Sequence, residues 1–248
     1  MTLQDFFKAQ PAIALAFSGG VDSAYLLYAA VNSGAKVTAY YVKTPFQPQF
    51  EYEDAVRLAS ELGAQMKTIR LDVLQDKNVT CNPANRCYYC KKRIFSAIAA
   101  AAREDGFSLV IDGTNASDDA SDRPGMVALK ELQVRSPLRE AGLTKAEIRR
   151  LSKEAGLFTH DKPAYACLAT RIPTGTPITQ ALLEKTEICE EYLKNMGFSD
   201  FRIRYSEGAA RLQLPEAQIP ALFERRVEIL AFLKQHYPAV LLDLEVRG

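Results

Sequence analysis

Neither sign of charge is in excess. The 248 residues hold 31 Lys and Arg against 30 Asp and Glu, so no overall field draws the chain to nucleic acid or to an anionic membrane, and anion recognition has to be local. No apolar run approaches the length needed to span a bilayer. Residues 1–10 carry Asp5 and Lys8 but no basic stretch leading into an apolar segment with a cleavage site, which predicts a cytoplasmic protein. Internal repeats and low-complexity tracts are absent. Histidine is scarce, and neither His160 nor His236 has a partner pattern suggesting a catalytic pair. The five cysteines are odd in number and have no secretory context, which argues against a disulfide framework and for metal or redox chemistry. The rest is an ordinary globular composition, 48% hydrophobic and 25% charged, with room for one large domain or a moderate domain with a small appendage.

What is present is an alternation of strand and helix. Residues 12–17 form a short apolar run ending at Ser18-Gly19-Gly20, and 22–32 follow with Leu26, Leu27, Ala30 and Val31 at helical spacing. Strands are then predicted at 36–42, 68–73 and 109–112, and helices at 51–62, 93–103 and 143–155, the last opened by Thr144 and Glu147 in capping-box spacing. Such alternation implies parallel crossovers and a doubly wound, mostly parallel α/β sheet with ligands outside the carboxyl ends of its strands. Clustered Pro, Gly and Thr in Arg171-Ile172-Pro173-Thr174-Gly175-Thr176-Pro177 mark a linker or exposed loop. Beyond it a helix (180–196), two short strands (201–205, 210–214), a second helix (218–236) and a final strand (240–246) predict a small α+β subdomain. The expected domains are 1–172 and 173–248.

Ser18-Gly19-Gly20-Val21-Asp22-Ser23 lies where the first strand feeds the first helix. Glycine lets the backbone wrap an anion there, and the helix amino end offers unpaired N–H groups and a positive dipole end. No Lys follows at the Walker spacing and the string is not GxGxxG, so the usual mononucleotide and dinucleotide loops do not apply. The alternative is a plain glycine-bearing turn. Ile111-Asp112-Gly113-Thr114-Asn115 is a second strand end followed by turn residues, a second nucleotide segment or merely a turn with Asx chemistry.

Cys87 and Cys90, in Asn85-Arg86-Cys87-Tyr88-Tyr89-Cys90, stand three residues apart just before the predicted helix at 93, a spacing that lets both sulfurs reach one metal or cluster. Cys167, in a separate loop, could supply a third thiolate. Three thiolates with an open position match a 4Fe-4S cluster better than a closed structural zinc, although a CxxC pair alone also reads as zinc or redox chemistry. Cys81 is a weaker candidate, and Cys189 on a predicted helix reads as core filler.

The SGGxDS string is similar to the loop of the PP-loop, or N-type ATP pyrophosphatase, superfamily. That resemblance implies that Ser18, Gly19, Gly20 and Ser23 hold the β- and γ-phosphates of ATP, that Asp22 links them to Mg²⁺, and that Gly113, Thr114 and Asn115 lie across the site. With NPxxRCYxCK around Cys87, DGTNxSD at 112–118, Arg135-Ser136-Pro137-Leu138 and KPxxACLATRIPxGTPIT from Lys162, the chain resembles the LarE family of ATP-dependent sulfur transferases in nickel-pincer nucleotide biosynthesis, over about residues 12–214. The resemblance implies a small-molecule substrate, a pyridinium biscarboxylic acid mononucleotide whose carboxylates become thiocarboxylates. Cys167 takes the position of the sulfur-donating cysteine of sacrificial members; with Cys87 and Cys90 beside it, the family pattern implies instead a 4Fe-4S cluster held by Cys87, Cys90 and Cys167. The ultimate sulfur donor is not implied, and a homo-oligomer is expected.

Adenylation explains the ATP, because transfer of AMP to a carboxylate oxygen creates a good leaving group before sulfur attacks. Arginine suits a phosphate-bearing substrate: Arg171 stands near Cys167 as a catalytic candidate, and Arg202 and Arg204 share a strand face with a substrate-phosphate, interface or merely solvated role. Arg211 sits in ARLQ where the family has ARIE, and Glu187 and Glu190 lie near a metal-binding glutamate of the family. The rival readings are a PP-loop tRNA thiolase, disfavoured by the balanced charge, an ammonia-using ligase of the NAD synthetase type, which has no use for three cysteines, and a nucleotide-binding regulator with structural zinc.

Overall fold

The computed structural model describes residues 1–118 and 124–247. In chain order its elements are α1 (Leu3–Ala9), β1 (Ala12–Ala16), α2 (Val21–Asn32), β2 (Lys36–Lys43), α3 (Gln49–Glu61), β3 (Gln65–Arg70), α4 (Lys77–Thr80), α5 (Arg86–Glu104), β4 (Val110–Ile111), α6 (Pro124–Glu131), α7 (Pro137–Glu140), α8 (Lys145–Glu154), α9 (Gln180–Asn195), β5 (Arg202–Ser206), β6 (Ala209–Gln213), α10 (Ile219–Glu224), α11 (Arg226–Leu233) and β7 (Val240–Leu242). Contacts gather them into two compact units, Met1–Val73 with Asn85–Lys162, and Leu74–Ala84 with Pro163–Gly248.

The first unit is built on a parallel sheet in the order β3-β2-β1-β4. Alternate residues of its central strands serve opposite layers, as a period of two requires. Ile13, Leu15, Ala39 and Tyr41 pack with Ala24 and Leu27 of α2, Leu58 of α3 and Ile148 of α8, whereas Ala14, Tyr40 and Val42 pack with Phe95, Ile98 and Ala102 of α5 and Leu129 of α6. Helices cover both faces, so this is the doubly wound α/β sheet expected. Because β2 and β3 extend the sheet to one side of β1 and β4 lies on the other, the strand order reverses between β1 and β4. That reversal opens a crevice at their carboxyl ends.

Some boundaries differ from the sequence expectation. β3 ends at Arg70 rather than running from 68 to 73; the apolar residues that suggested the later frame lead into a short 3-10 turn, Val73–Gln75, with Val73 buried. α5 begins at Arg86, not 93, so Cys87 and Cys90 lie within the helix rather than before it. Its buried apolar residues Phe95, Ile98 and Ala102 all fall in the second half, and the first turns carry no apolar stripe to signal them. The helix expected over 218–236 is broken at Arg225, whose Nη1 donates to the Met196 carbonyl at 2.8 Å, and the last strand stops at Leu242.

In the second unit a β5-β6-β7 sheet packs Ile203, Ala210 and Leu212 with Cys189 and Leu193 of α9 and Ile229 and Leu233 of α11. Burial pushes the Cys189 thiol up to about 12, which suits a core filler and not a nucleophile. Glu207 and Gly208 both have positive φ (48° and 93°), the backbone of a two-residue hairpin turn matched to strand twist. Segment 74–84 joins this unit through Asn82, whose buried amide nitrogen reaches the carbonyls of Ile172, Pro173 and Thr176 at 3.3, 2.7 and 3.1 Å.

Candidate functional site

The crevice of the first unit is lined by the two segments singled out in the sequence. After β1, Gly19 adopts φ +74°, and a Cβ there would come within 2.9 Å of the Ala55 Cβ; a side chain is excluded by conformation and by space. Gly20 is the N-cap of α2 and brings no side chain to cap it, which leaves the amino-end N–H groups to an incoming anion. Ser18 and Ser23 hold the loop in shape: their hydroxyls are 3.1 Å apart, Ser23 Oγ donates to Gly20 O at 3.1 Å, and Gly20 N donates to Ser18 Oγ at 3.3 Å. After β4, a Cβ on Gly113 would meet Ser23 N at 2.9 Å, so this segment runs directly against the start of α2. Asp112 is buried and binds the hydroxyls of Thr114 (2.5 Å) and Ser136 (2.6 Å). Asn115 is also buried, and its Oδ1 accepts from Ser117 N at 2.8 Å.

Asp22, at the second position of α2, faces this cradle's cation problem. Its Oδ2 accepts from Lys145 Nζ at 2.6 Å, while Oδ1 is buried with no hydrogen-bond partner among the described residues. Burial raises its carboxyl above the usual range, against the hydrogen bond and charge of Lys145. A buried carboxylate oxygen with idle lone pairs, beside an uncapped helix start, fits a hard divalent cation bridging to phosphate. Lys145 escaped the sequence reading. The only signal was the capping box that fixes the start of α8, in which Thr144 N donates to Glu147 Oε2 and Glu147 N to Thr144 Oγ1, so that Lys145 is the first helical residue.

Cys87 and Cys90 lie one turn apart on α5, Cys87 exposed and Cys90 half-buried, so both thiols sit on neighbouring positions of one helix surface. They belong to the first unit and Cys167 to the second. None of the five cysteines forms a disulfide. Among the described residues no group of three His, Cys, Asp or Glu is gathered around a common metal position.

In the second unit Cys167 is half-buried and precedes a 3-10 turn, Leu168–Arg171, whose Leu168 and Ala169 are fully buried. Arg171 is 1% exposed and meets the 5% exposed Glu190 in a two-pronged pair, Nε to Oε1 at 2.7 Å and Nη2 to Oε2 at 3.1 Å. Glu190 also accepts from the Tyr165 hydroxyl at 2.5 Å and from Ile203 N at 2.9 Å. This is a fully hydrogen-bonded buried ion pair. Burial opposes the Arg171 charge, but the bonds and charge of Glu190 outweigh it and hold the guanidinium above its ordinary value. Glu190→Ala would strand that cation, and chemical denaturation is expected to show a loss of about 3–5 kcal/mol in the transition of this unit. Arg202 is only 4% exposed, against the solvated alternative, and burial with the nearby Arg171 and Arg247 pushes it down to about 10. Arg204 is half-buried; its Nε donates to Gln213 Oε1 and its Nη1 to Thr170 O, both at 3.1 Å. Arg211 is exposed beside Asp243 at 3.5 Å.

Comparison with known proteins agrees with this geometry. The family profile described as "ThiI: Thiamine biosynthesis protein (ThiI)" matches residues 8–195. The chain is 34% identical over 220 residues to pyridinium-3,5-bisthiocarboxylic acid mononucleotide synthase of Lactiplantibacillus plantarum, covering 88% of this chain and 80% of that one. It is 36% identical over 218 residues to an uncharacterized protein of Synechocystis sp., covering 88% of this chain and 81% of that one. A tRNA-specific 2-thiouridylase of Pseudothermotoga lettingae is more distant, 28% identical over 186 residues and matched over 53% of its length. No helix among the described residues is long and apolar enough to cross a membrane. With a glycine-built anion cradle at the β1/β4 reversal and relatives of this kind over most of its length, the chain belongs to the LarE-type PP-loop family and is an ATP-dependent sulfurtransferase.

Proposed function

We propose that the chain adenylylates a carboxylate of a pyridinium biscarboxylic acid mononucleotide, releases pyrophosphate, and replaces the activated oxygen by sulfur to give a thiocarboxylate for nickel-pincer nucleotide biosynthesis. The observation that carries this reading is the cradle itself: an uncapped helix start, a glycine that tolerates no Cβ, and the partnerless Oδ1 of Asp22. Backbone N–H groups of Gly19, Gly20 and the first turn of α2, with Ser18 and Ser23, bind the β- and γ-phosphates. Asp22, through its partnerless Oδ1, would hold Mg²⁺, which when bound would supply charge neutralisation for the phosphates. Gly113, Thr114 and Asn115 form the opposite wall. The substrate carboxylate oxygen attacks the α-phosphorus, the bond to the bridging oxygen breaks, and pyrophosphate leaves. Sulfur then adds to the acyl carbon and AMP departs with the electron pair of the C–O bond.

Arg204, with Nη2 lacking a partner among the described residues, suits the substrate phosphate, and Arg171 acts from the segment that bears Cys167. The sulfur is supplied either by Cys167 itself or through a 4Fe-4S cluster held by Cys87, Cys90 and Cys167. Three thiolates match such a cluster in kind, and it would contribute a coordinated sulfide able to act as nucleophile. The same reading takes the enzyme to be a cytoplasmic homo-oligomer. A tRNA substrate is disfavoured by the balance of 31 basic and 30 acidic residues.

The test is anaerobic turnover of the pyridinium substrate with ATP, reading thiocarboxylate and pyrophosphate together with iron, acid-labile sulfide and the intact mass of the chain. Pyrophosphate released in step with thiocarboxylate is the expected result; release without any thiocarboxylate sinks the proposal. A chain lighter by the mass of H₂S after turnover assigns the sulfur to Cys167.

A further inference from the structure

Three guanidinium groups converge on one short stretch of backbone. Arg202 Nη2 donates to Ala164 O at 2.5 Å, Arg171 Nη1 to Ala166 O at 3.0 Å, and Arg204 Nη1 to Thr170 O at 3.1 Å. Those carbonyls bracket Cys167. From within the stretch, Thr170 N and Oγ1 both donate to Cys167 O, at 2.9 and 2.8 Å. The arginines are themselves held: Arg171 by Glu190, Arg202 by its own neighbour's carbonyl, Phe201 O at 2.6 Å, and Arg204 by Gln213. The Tyr165 ring, also within the stretch, lies 4.6 Å from the Arg171 guanidinium and 5.1 Å from that of Arg202.

We infer that Arg171, Arg202 and Arg204 form a clasp, anchored on Glu190, that holds segment 164–170 and thereby sets the orientation of Cys167. Arg202 and Arg171 are positioning residues, acting on the reaction through the backbone they bind. A loop carrying a reacting sulfur has few regular hydrogen bonds of its own, and its carbonyls must find donors when buried. A planar cation with several fixed N–H vectors satisfies such carbonyls and stiffens the chain at once. Strand alternation makes the arrangement: with Ile203 turned into the core, residues 202 and 204 point together to the other face. Arg204 keeps Nη2 for an anionic substrate while Nη1 stays on Thr170 O, so binding at one end of the clasp is felt at the other. The inference rests on the proposed function for the role of Cys167, but not for the clasp itself.

Amide hydrogen exchange on the full chain tests it, in Arg202→Gln and in Arg202→Lys. Loss of the donor to Ala164 O is expected to speed exchange of amides 165–170 by about tenfold or more, with the β5-β6 hairpin unchanged. The lysine, a single donor point, should restore part of the protection, and it carries the measurement if the glutamine variant does not fold. In sulfur transfer the variants should lose about 10²-fold in kcat while the KM for the mononucleotide stays within about threefold. Unchanged exchange in 165–170, or a KM that rises while kcat holds, overturns the clasp. If the unaltered chain transfers no sulfur, the proposed function fails, and the exchange measurement still decides the clasp.

Discussion

Asp22→Asn is expected to lower ATP-dependent pyrophosphate release by about 10²–10³, measured with Mg²⁺ saturating for the unaltered enzyme. The amide keeps the shape of the side chain but removes the charge that an octahedral, oxygen-seeking cation demands, and one of its two terminal atoms becomes a donor. An unchanged rate would remove Asp22 from the cation site. The same carboxylate sets an acid limit. Burial raises its carboxyl, so the ionised form needed for Mg²⁺ is lost, as pH falls, at a higher pH than for an exposed aspartate, near ~3.9. Lys145 works in the opposite direction through its hydrogen bond and charge. In Lys145→Met the acid limb of pyrophosphate release should therefore move to higher pH, and a limb that stays or moves down would contradict the pairing. For stability the sign is reversed from that of an ordinary paired aspartate. A carboxyl raised on folding stabilises the fold below its unfolded value, and this contribution fades as pH rises through the folded value.

Cys167→Ala should abolish thiocarboxylate formation outright, whereas Cys87→Ala should abolish repeated turnover. The difference separates the two sulfur routes. If Cys167 gives up its own sulfur, each chain reacts once, and Cys87→Ala still delivers that single turnover. If a cluster is the immediate source, Cys87→Ala loses a ligand and with it the bound iron and sulfide. Wild-type repeated turnover in Cys87→Ala would remove the cluster, and thiocarboxylate made by Cys167→Ala would remove Cys167 from both routes. Cys189→Ala, a change in the core of the second unit, affects stability through packing rather than through sulfur chemistry.

The loop after β1 was legible because its residues are contiguous. A buried strand, two glycines, a serine and a helix start occupy adjacent residues, and the order of the chain alone brings N–H groups and Asp22 together. The same holds for the alternating faces of β1 and β2, whose period of two is a local property, and for the capping box at Thr144. The start of α5 was not legible. Residues 86–93 present polar and aromatic side chains, and their helix is supported by contacts of Tyr88 and Lys92 with Glu131, which lies 43 and 39 residues away in the chain.

Partners far apart in sequence were decided by packing alone. Asp22 meets Lys145 across 123 residues because α2 and α8 cover the same face of the sheet, and no spacing rule announces such a meeting. Arg171 reads locally as a cation near a cysteine; only the fold shows that Glu190 neutralises it and that its remaining donors serve the backbone around Cys167. Residue order thus specified the strand–helix alternation of the first unit and the glycine-bearing loop after β1, since short-range sterics and hydrogen bonding suffice for both. Which charges are paired, buried or left with an idle oxygen was settled by the tertiary structure, because desolvation and ion pairing depend on distances in space that the chain reaches only once its core has closed.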